Sequence, residues 1–308
     1  MKFMLLNSPL YWNSSNVEED YLPPLGLGYI ATYLKKANID VELVDCVQQR
    51  LGVKEIFELL NSEVPDYIGI NIFTQNYEIV RTIVEHLPPY SKVIIGGQVV
   101  KCIYKEILTW NIVNTTILII GEGEFIIPDL VKGCCRETPI YINKNMSVYH
   151  VNNNSSYFPS SLDGIILDRS IFKNPTTINH YSELEAPILT SRGCIYNCAF
   201  CGGSHNLNKD INVRWRNPES IISEIQDILM FSPSVQSIRV LDDLFLRDFN
   251  SVNNAISIFS EFPNMHWRGM AHVVSLKNSL ENLHNLRISG CQELFLGIES
   301  GSEKIRKK

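Results

Sequence analysis

Cys194, Cys198 and Cys201 stand in the run Thr-Ser-Arg-Gly-Cys-Ile-Tyr-Asn-Cys-Ala-Phe-Cys-Gly-Gly (190–203), three thiols within eight residues after a short apolar, strand-like segment. Three thiolates on a tight loop can hold three irons of a [4Fe–4S] cube and leave the fourth iron open to a substrate or cofactor. A four-thiolate site would suit electron transfer or structure instead. Zinc would want a fourth Cys or His at matching spacing, and His205 is the nearby candidate. Three unrelated buried thiols are the bland alternative.

Such a loop needs a scaffold. The chain has 308 residues, of which 45% are hydrophobic, enough for two domains with separate cores. Residues 1–135 alternate β-branched runs (2–6, 41–45, 67–72, 92–95, 116–120) with amphipathic stretches (25–36, 53–61, 77–86, 100–108, 125–131). That alternation predicts an α/β fold, a doubly wound parallel sheet of Rossmann-like type with right-handed crossovers. Ligands of such sheets sit beyond the carboxyl ends of the strands. Small and polar residues gather there: Asn7 and Ser8, Asp45 and Cys46, Asn71 to Thr74, Gly96, Gly97 and Gln98, then Gly121, Glu122, Gly123 and Glu124. Each group alone is equally a tight turn or a helix start with favourable acids.

Residues 136–186 read as a hairpin (140–142 with 148–151) and an Asn-, Ser- and Pro-rich linker between domains. From 187 to 308 the βα alternation resumes, with strands at 188–190, 237–241, 265–272 and 293–298 and helices at 218–230, 249–262 and 280–288. Asn217 and Pro218 form a good helix start. The progression is that of a partial (βα) barrel of about four strands. Asp242, Asp243, Glu299 and Ser300 lie at strand carboxyl ends, where barrels place their sites, although a capped turn explains each pair equally well. Arg268, on the third strand, could meet a carboxylate through a bidentate pair or be a surface residue.

No apolar run approaches a bilayer span, and the N-terminus lacks a signal-peptide layout, so a cytoplasmic protein is expected. The other five cysteines read as free structural thiols. A net charge of −6 disfavours nucleic acid as a partner.

Cys-x3-Cys-x2-Cys with Phe200 before the last Cys resembles the signature of the radical S-adenosylmethionine (SAM) enzymes. The resemblance implies that Cys194, Cys198 and Cys201 ligate a [4Fe–4S] cluster, whose open iron chelates SAM and whose electron releases a 5′-deoxyadenosyl radical. It implies adenine contact for Phe200, and SAM contacts for Asp242, Asp243, Glu299 and Ser300, with Arg268 as a candidate for the SAM carboxylate. The order Pro-Pro-Leu-Gly-Leu-Gly-Tyr (23–29), Ile-Ile-Gly-Gly (94–97) and Ile-Ile-Gly-Glu-Gly-Glu (119–124) resembles the cobalamin-binding domain that precedes the barrel in one large radical SAM subfamily. Asn7, Ser8, Asn71, Thr74, Gly96, Gly97, Gln98, Gly121, Glu122 and Gly123 would then face cobalamin. No Asp-x-His-x-x-Gly motif follows the first strand, so binding without a protein His ligand to cobalt is implied.

The activity implied is C-methyl transfer, with one SAM methylating cob(I)alamin and a second yielding the radical. Radical chemistry of a non-methylating kind, or a non-catalytic cluster- or corrinoid-binding protein, are the alternatives. A flavodoxin- or ferredoxin-type electron donor and a small-molecule or peptide substrate are the implied partners. Family barrels have six strands, so the resemblance implies a longer protein, a partner or dimer that covers the open edge, or an inactive product.

Overall fold

In a computed structural model of the chain, residues 1–10, 12 and 21–306 are described. The chain forms two compact units, Met1–Pro159 with Ile165–Pro175, and Ser160–Gly164 with Thr176–Lys308.

The first unit is built on β1 (Lys2–Asn7), β2 (Asp40–Asp45), β3 (Tyr67–Asn71), β4 (Lys92–Gly96), β5 (Thr116–Ile120), β6 (Tyr141–Ile142) and β7 (Met146–His150). Helices α1 (Leu25–Lys36), α2 (Val53–Glu63), α3 (Tyr77–Glu85), α4 (Val100–Ile107) and α5 (Ile126–Lys132) connect the first strands. The sheet order is β2-β1-β3-β4-β5-β7-β6, parallel except for the β6–β7 pair. Every residue of β3 is buried, as a central strand covered by helices on both faces must be. The order reverses between β1 and β3, which opens a crevice at their carboxyl ends.

The hairpin expected in the linker belongs to this sheet. β7 runs parallel to β5, with Thr116 opposite Met146 and Ile120 opposite His150. Met146 and Val148 are buried there and complete the core, whereas an isolated two-stranded hairpin is marginal in water. Residues 165–175, also expected as linker, lie along α1. A Cβ on Gly28 would stand 2.2 Å from Phe172 Cζ, so the second glycine of the 23–29 run makes room for this strap. The Asp168 amide donates to Thr32 Oγ1 at 3.0 Å, and its carboxylate pairs with Lys35 at 2.7 Å.

The second unit carries β8 (Thr177–Ile178), β9 (Leu184–Ile188), β10 (Ser191–Arg192), β11 (Arg214–Trp215), β12 (Ser237–Val240), β13 (His266–Ala271) and β14 (Cys291–Leu296). Its helices are α6 (Pro218–Phe231), α7 (Phe249–Ser260), α8 (Val273–Lys277), α9 (Leu283–Ile288) and α10 (Glu303–Arg306). The sheet order is β14-β13-β12-β9-β8, with β9, β12, β13 and β14 parallel and β8 antiparallel at the edge. The first parallel strand thus starts at Leu184, upstream of the expected 188–190. Its core joins Ala186, Ile188, Ile238 and Val240 to Ile225, Phe259 and Trp267. Asn217 does precede α6, but its side chain donates to Asp163 at 2.8 Å rather than capping the helix. Among the described residues, no helix is long and apolar enough to cross a membrane.

Candidate functional site

The cysteine loop leaves the carboxyl end of β9 and returns through β11. Ser191 and Arg192 pair antiparallel with Trp215 and Arg214, which ties the two ends of the loop together. Inside, Cys201 N–H donates to Cys198 O at 3.1 Å and His205 N–H donates to Tyr196 O at 2.9 Å. The Tyr196 ring stacks on His272, just past β13, with centroids 4.0 Å apart and planes at 16°. Backbone turns and one stacked ring therefore give the loop its shape.

All three thiols are free, Cys198 exposed and the other two half-buried. Burial pushes the Cys194 thiol up, and Asp243, Cys201 and Cys198 add to this electrostatically. Among the described residues, no three His, Cys, Asp or Glu side chains converge as a single metal ion requires. A four-iron cube takes each thiolate on a different iron, so three neighbouring thiols spread over one loop fit its donor set. Phe200 is 72% exposed beside the last thiol.

The two acids after β12 divide in role. Asp242 is 3% exposed. Its carboxylate accepts from Thr190 N–H at 2.6 Å, Thr190 Oγ1 at 2.5 Å and Ser191 Oγ at 2.7 Å. Those bonds take it out of the set expected to touch SAM, because its oxygens are committed to the strand end before the loop. Burial pushes its pKa up, against the pull of these donors. Asp243 accepts from the Gly193 backbone, and a Cβ on Gly203 would stand 3.7 Å from its carboxyl, so this acid faces the cysteine loop. Burial raises its pKa as well.

Arg268 is also corrected. Its guanidinium grips the fully buried Glu185 by two bonds of 2.6 and 2.7 Å and reaches Glu293 at 3.2 Å. A buried carboxylate needs such a partner, and Glu185 lies at the amino-terminal half of β9, away from the loop. Glu299 and Ser300 follow β14 at the same end of the sheet as the cysteines. Glu299 takes a left-handed φ of 62°, and Ser300 Oγ accepts from Ser302 N–H at 3.0 Å.

In the first unit the strand ends come together as expected, but not all face outward. Asn7, Ser8 and Asn71 are buried at the crevice between β1 and β3 and bond one another. Ser8 N–H donates to Asn71 Oδ1 at 2.8 Å, Ser8 Oγ to Asn71 O at 2.7 Å, and Asn71 Nδ2 to Asn7 Oδ1 at 2.9 Å. Asn76 and Asp45 complete this network, donating to Ser8 Oγ at 2.6 Å and accepting from Asn7 Nδ2 at 2.8 Å respectively. Asp45 stands among the polar strand-end residues of the sequence, whereas Asn76 carries no signal there, being a lone Asn at a helix start. Tyr21 also bonds Asp45. These residues form a floor, and the expectation that each contacts a ligand is replaced by that role for Asn7, Ser8 and Asn71.

Gly97 and Gly121 have φ of 124° and 95°, and a Cβ on them would meet Ile72 O at 2.4 Å and Val151 O at 2.2 Å. Strand geometry alone requires both glycines. A Cβ on Gly123 would meet Ile127 at 2.8 Å, so it serves helix packing. Gly96 faces open space. With the exposed Thr74 and Gln98 and the half-buried Glu122, it forms the rim above the floor.

A doubly wound domain with a polar crevice, followed by a parallel βα half-barrel with three thiols at its carboxyl end, defines the class. Residues 16–131 match the family model of the B12 binding domain, and the chain as a whole has the architecture of the cobalamin-dependent radical SAM family. An uncharacterised methyltransferase of Pyrococcus horikoshii is 25% identical over 324 residues, covering 99% of this chain and 67% of that one. The solved structure of the cobalamin-dependent SAM radical enzyme OxsB superposes with a TM-score of 0.66 at 21% identity, over 99% of this chain and 45% of that chain. OxsB with aqua-cobalamin and SAM bound gives 0.62. The radical SAM methyltransferase TsrM of Kitasatospora setae gives 0.66 at 16% identity, over 98% of this chain and 60% of that one. Another TsrM structure holds cobalamin and a [4Fe–4S] cluster. The chain thus spans about half the length of these solved proteins.

Proposed function

We propose that this chain works as a cobalamin-dependent radical SAM enzyme that transfers a methyl group to carbon. The observation that carries the reading is the three-thiol loop at the carboxyl end of parallel strands, in one chain with a B12-type domain. When bound, the cluster supplies a low-potential electron to SAM, and the corrinoid supplies a carrier for the methyl group.

This chain's residues bind and orient those groups. Cys194, Cys198 and Cys201 would hold the irons. Phe200 offers a flat apolar face for adenine. Asp243, Glu299 and Ser300, all at strand carboxyl ends, supply acceptors and a hydroxyl for the amino and ribose groups of SAM. Thr74, Gly96, Gln98 and Glu122 form a rim for the corrinoid, and Asn7, Ser8 and Asn71 stiffen the floor below it. A flavodoxin- or ferredoxin-type electron donor and a small-molecule or peptide substrate belong to the same proposal.

The test is anaerobic reconstitution with iron and sulfide, then absorption spectra with and without hydroxocobalamin, followed by reduction with methyl-labelled SAM. Iron–sulfur absorption that disappears in Cys198→Ala, corrinoid uptake, and release of 5′-deoxyadenosine are expected. Methyl label on an acceptor completes the reading. 5′-Deoxyadenosine without methyl label would leave radical chemistry of a non-methylating kind. A lone zinc ion in place of iron would overturn the proposal.

A further inference from the structure

Asp242 is more deeply enclosed than any functional group expected to touch SAM should be. Besides the three bonds to Thr190 and Ser191, its carboxylate accepts from the Ser191 backbone N–H, so four donors converge on it. All four belong to the two residues that lead into the cysteine loop. From the other side, Arg216 N–H donates to Thr190 O at 2.8 Å and the Arg216 guanidinium to Leu189 O at 3.2 Å. Next to it, Leu241 N–H donates to Ile188 O at 2.9 Å, where β12 leaves the sheet beside β9. Thr190 and Ser191 are thus held between a β-ladder and a buried carboxylate, with Ser191 three residues before the first thiol.

A desolvated carboxylate is costly, and a single neutral acceptor would satisfy one stray N–H. A carboxylate with four converging donors does more, because it fixes two peptide units and two side chains against one point. Anchoring Asp242 toward Thr190 also leaves the neighbouring Asp243 free to turn toward Gly193 and Gly203.

We infer that Asp242 is a positioning residue for the cysteine loop, setting where the three thiols stand by holding Thr190 and Ser191 through its carboxylate. It touches no cofactor itself and acts through those two residues. This rests on the cluster reading above, and the test separates the two.

Wild type, Asp242→Ala, Asp242→Asn, the Thr190→Val/Ser191→Ala double variant and Cys198→Ala are reconstituted anaerobically. Iron release to a chelator and the electron paramagnetic resonance spectrum of the reduced protein, with and without SAM, are measured on samples shown folded by circular dichroism. Asp242→Ala should release iron about 10-fold faster, the scale on which outer-shell partners tune a metal site, and lose the spectral change on adding SAM. Asn can accept from both backbone amides and donate to both hydroxyls, so Asp242→Asn should restore the wild-type release rate and spectrum. A carboxylate that merely stabilised the fold would lower the melting temperature and leave folded protein with the wild-type spectrum. That result would overturn the inference. Should Asp242→Ala fail to fold, the hydroxyl-deleted double variant decides, with faster release expected and unchanged release counting against. Wild type without an iron–sulfur signal would sink the cluster reading itself.

Discussion

Arg268 and Glu185 form an ion pair with both side chains out of water, 2% and 0% exposed. Ser237 Oγ donates to the same carboxylate at 3.2 Å, and the Arg268 guanidinium lies over the Phe295 ring at 5.7 Å. Removing one partner of such a pair leaves an uncompensated charge. Arg268→Met should therefore cost about 3–5 kcal/mol of stability, and adding Glu185→Leu should recover most of it. Urea midpoints of the two variants check this, and equal losses in both would contradict the account. An arginine in a strand was legible as a cation seeking an anion, but its partner lies 83 residues away in the chain, where no local pattern could name it. Asp242 had the same limit. Two adjacent acids after a strand suggest a site, while only the fold tells which one turns toward Thr190 and which toward the loop. The cysteines were readable because their chemistry is carried by spacing alone.

Elements with a long period were equally legible. Strands β1 to β5 of the first unit and the helices between them follow from hydrophobic alternation, as do the later strands of the second. The two-residue strands β8, β10 and β11 have no period to detect, and the 165–175 strap carries Asn, Ser and Pro neighbours that resemble a linker. The strap's contact with α1 is testable. A methyl group on Gly28 would meet Phe172 Cζ at 2.2 Å and Leu167 Cδ1 at 3.0 Å. Gly28→Ala should destabilise the protein by about 1–3 kcal/mol, as overpacking does, even though alanine itself favours helix. Phe172→Leu in that background should restore part of the loss, a coupling that a double-mutant cycle measures directly. Additive effects would mean that the strap does not press on this glycine.

At the scale of the whole chain, each unit holds its own sheet and its own core, and each is proposed to carry a different cofactor. The core of the second is centred on Trp267, fully buried, stacked on Phe259 at 4.7 Å and edge-on to Phe245 at 5.7 Å. Its indole N–H donates to Ser289 O at 3.0 Å. Trp267→Ala removes the ring and its hydrogen bond together, a loss of about 3–5 kcal/mol. β9, from which the cysteine loop leaves, pairs with β12 next to Trp267's own strand β13, and its Ala186 and Ile188 share a core with that ring. Iron uptake should therefore fall sharply. Leu6, Ile70 and Ile72, which back the β1–β3 crevice, belong to the first unit's own core, whereas Trp267 belongs to the core of the second. Hydroxocobalamin uptake by Trp267→Ala should stay at the wild-type level while iron is lost, read as corrinoid absorbance and iron content of the same sample. Loss of both together would show that the two cores unfold as one, and the assignment of one cofactor to each unit would lose its physical basis.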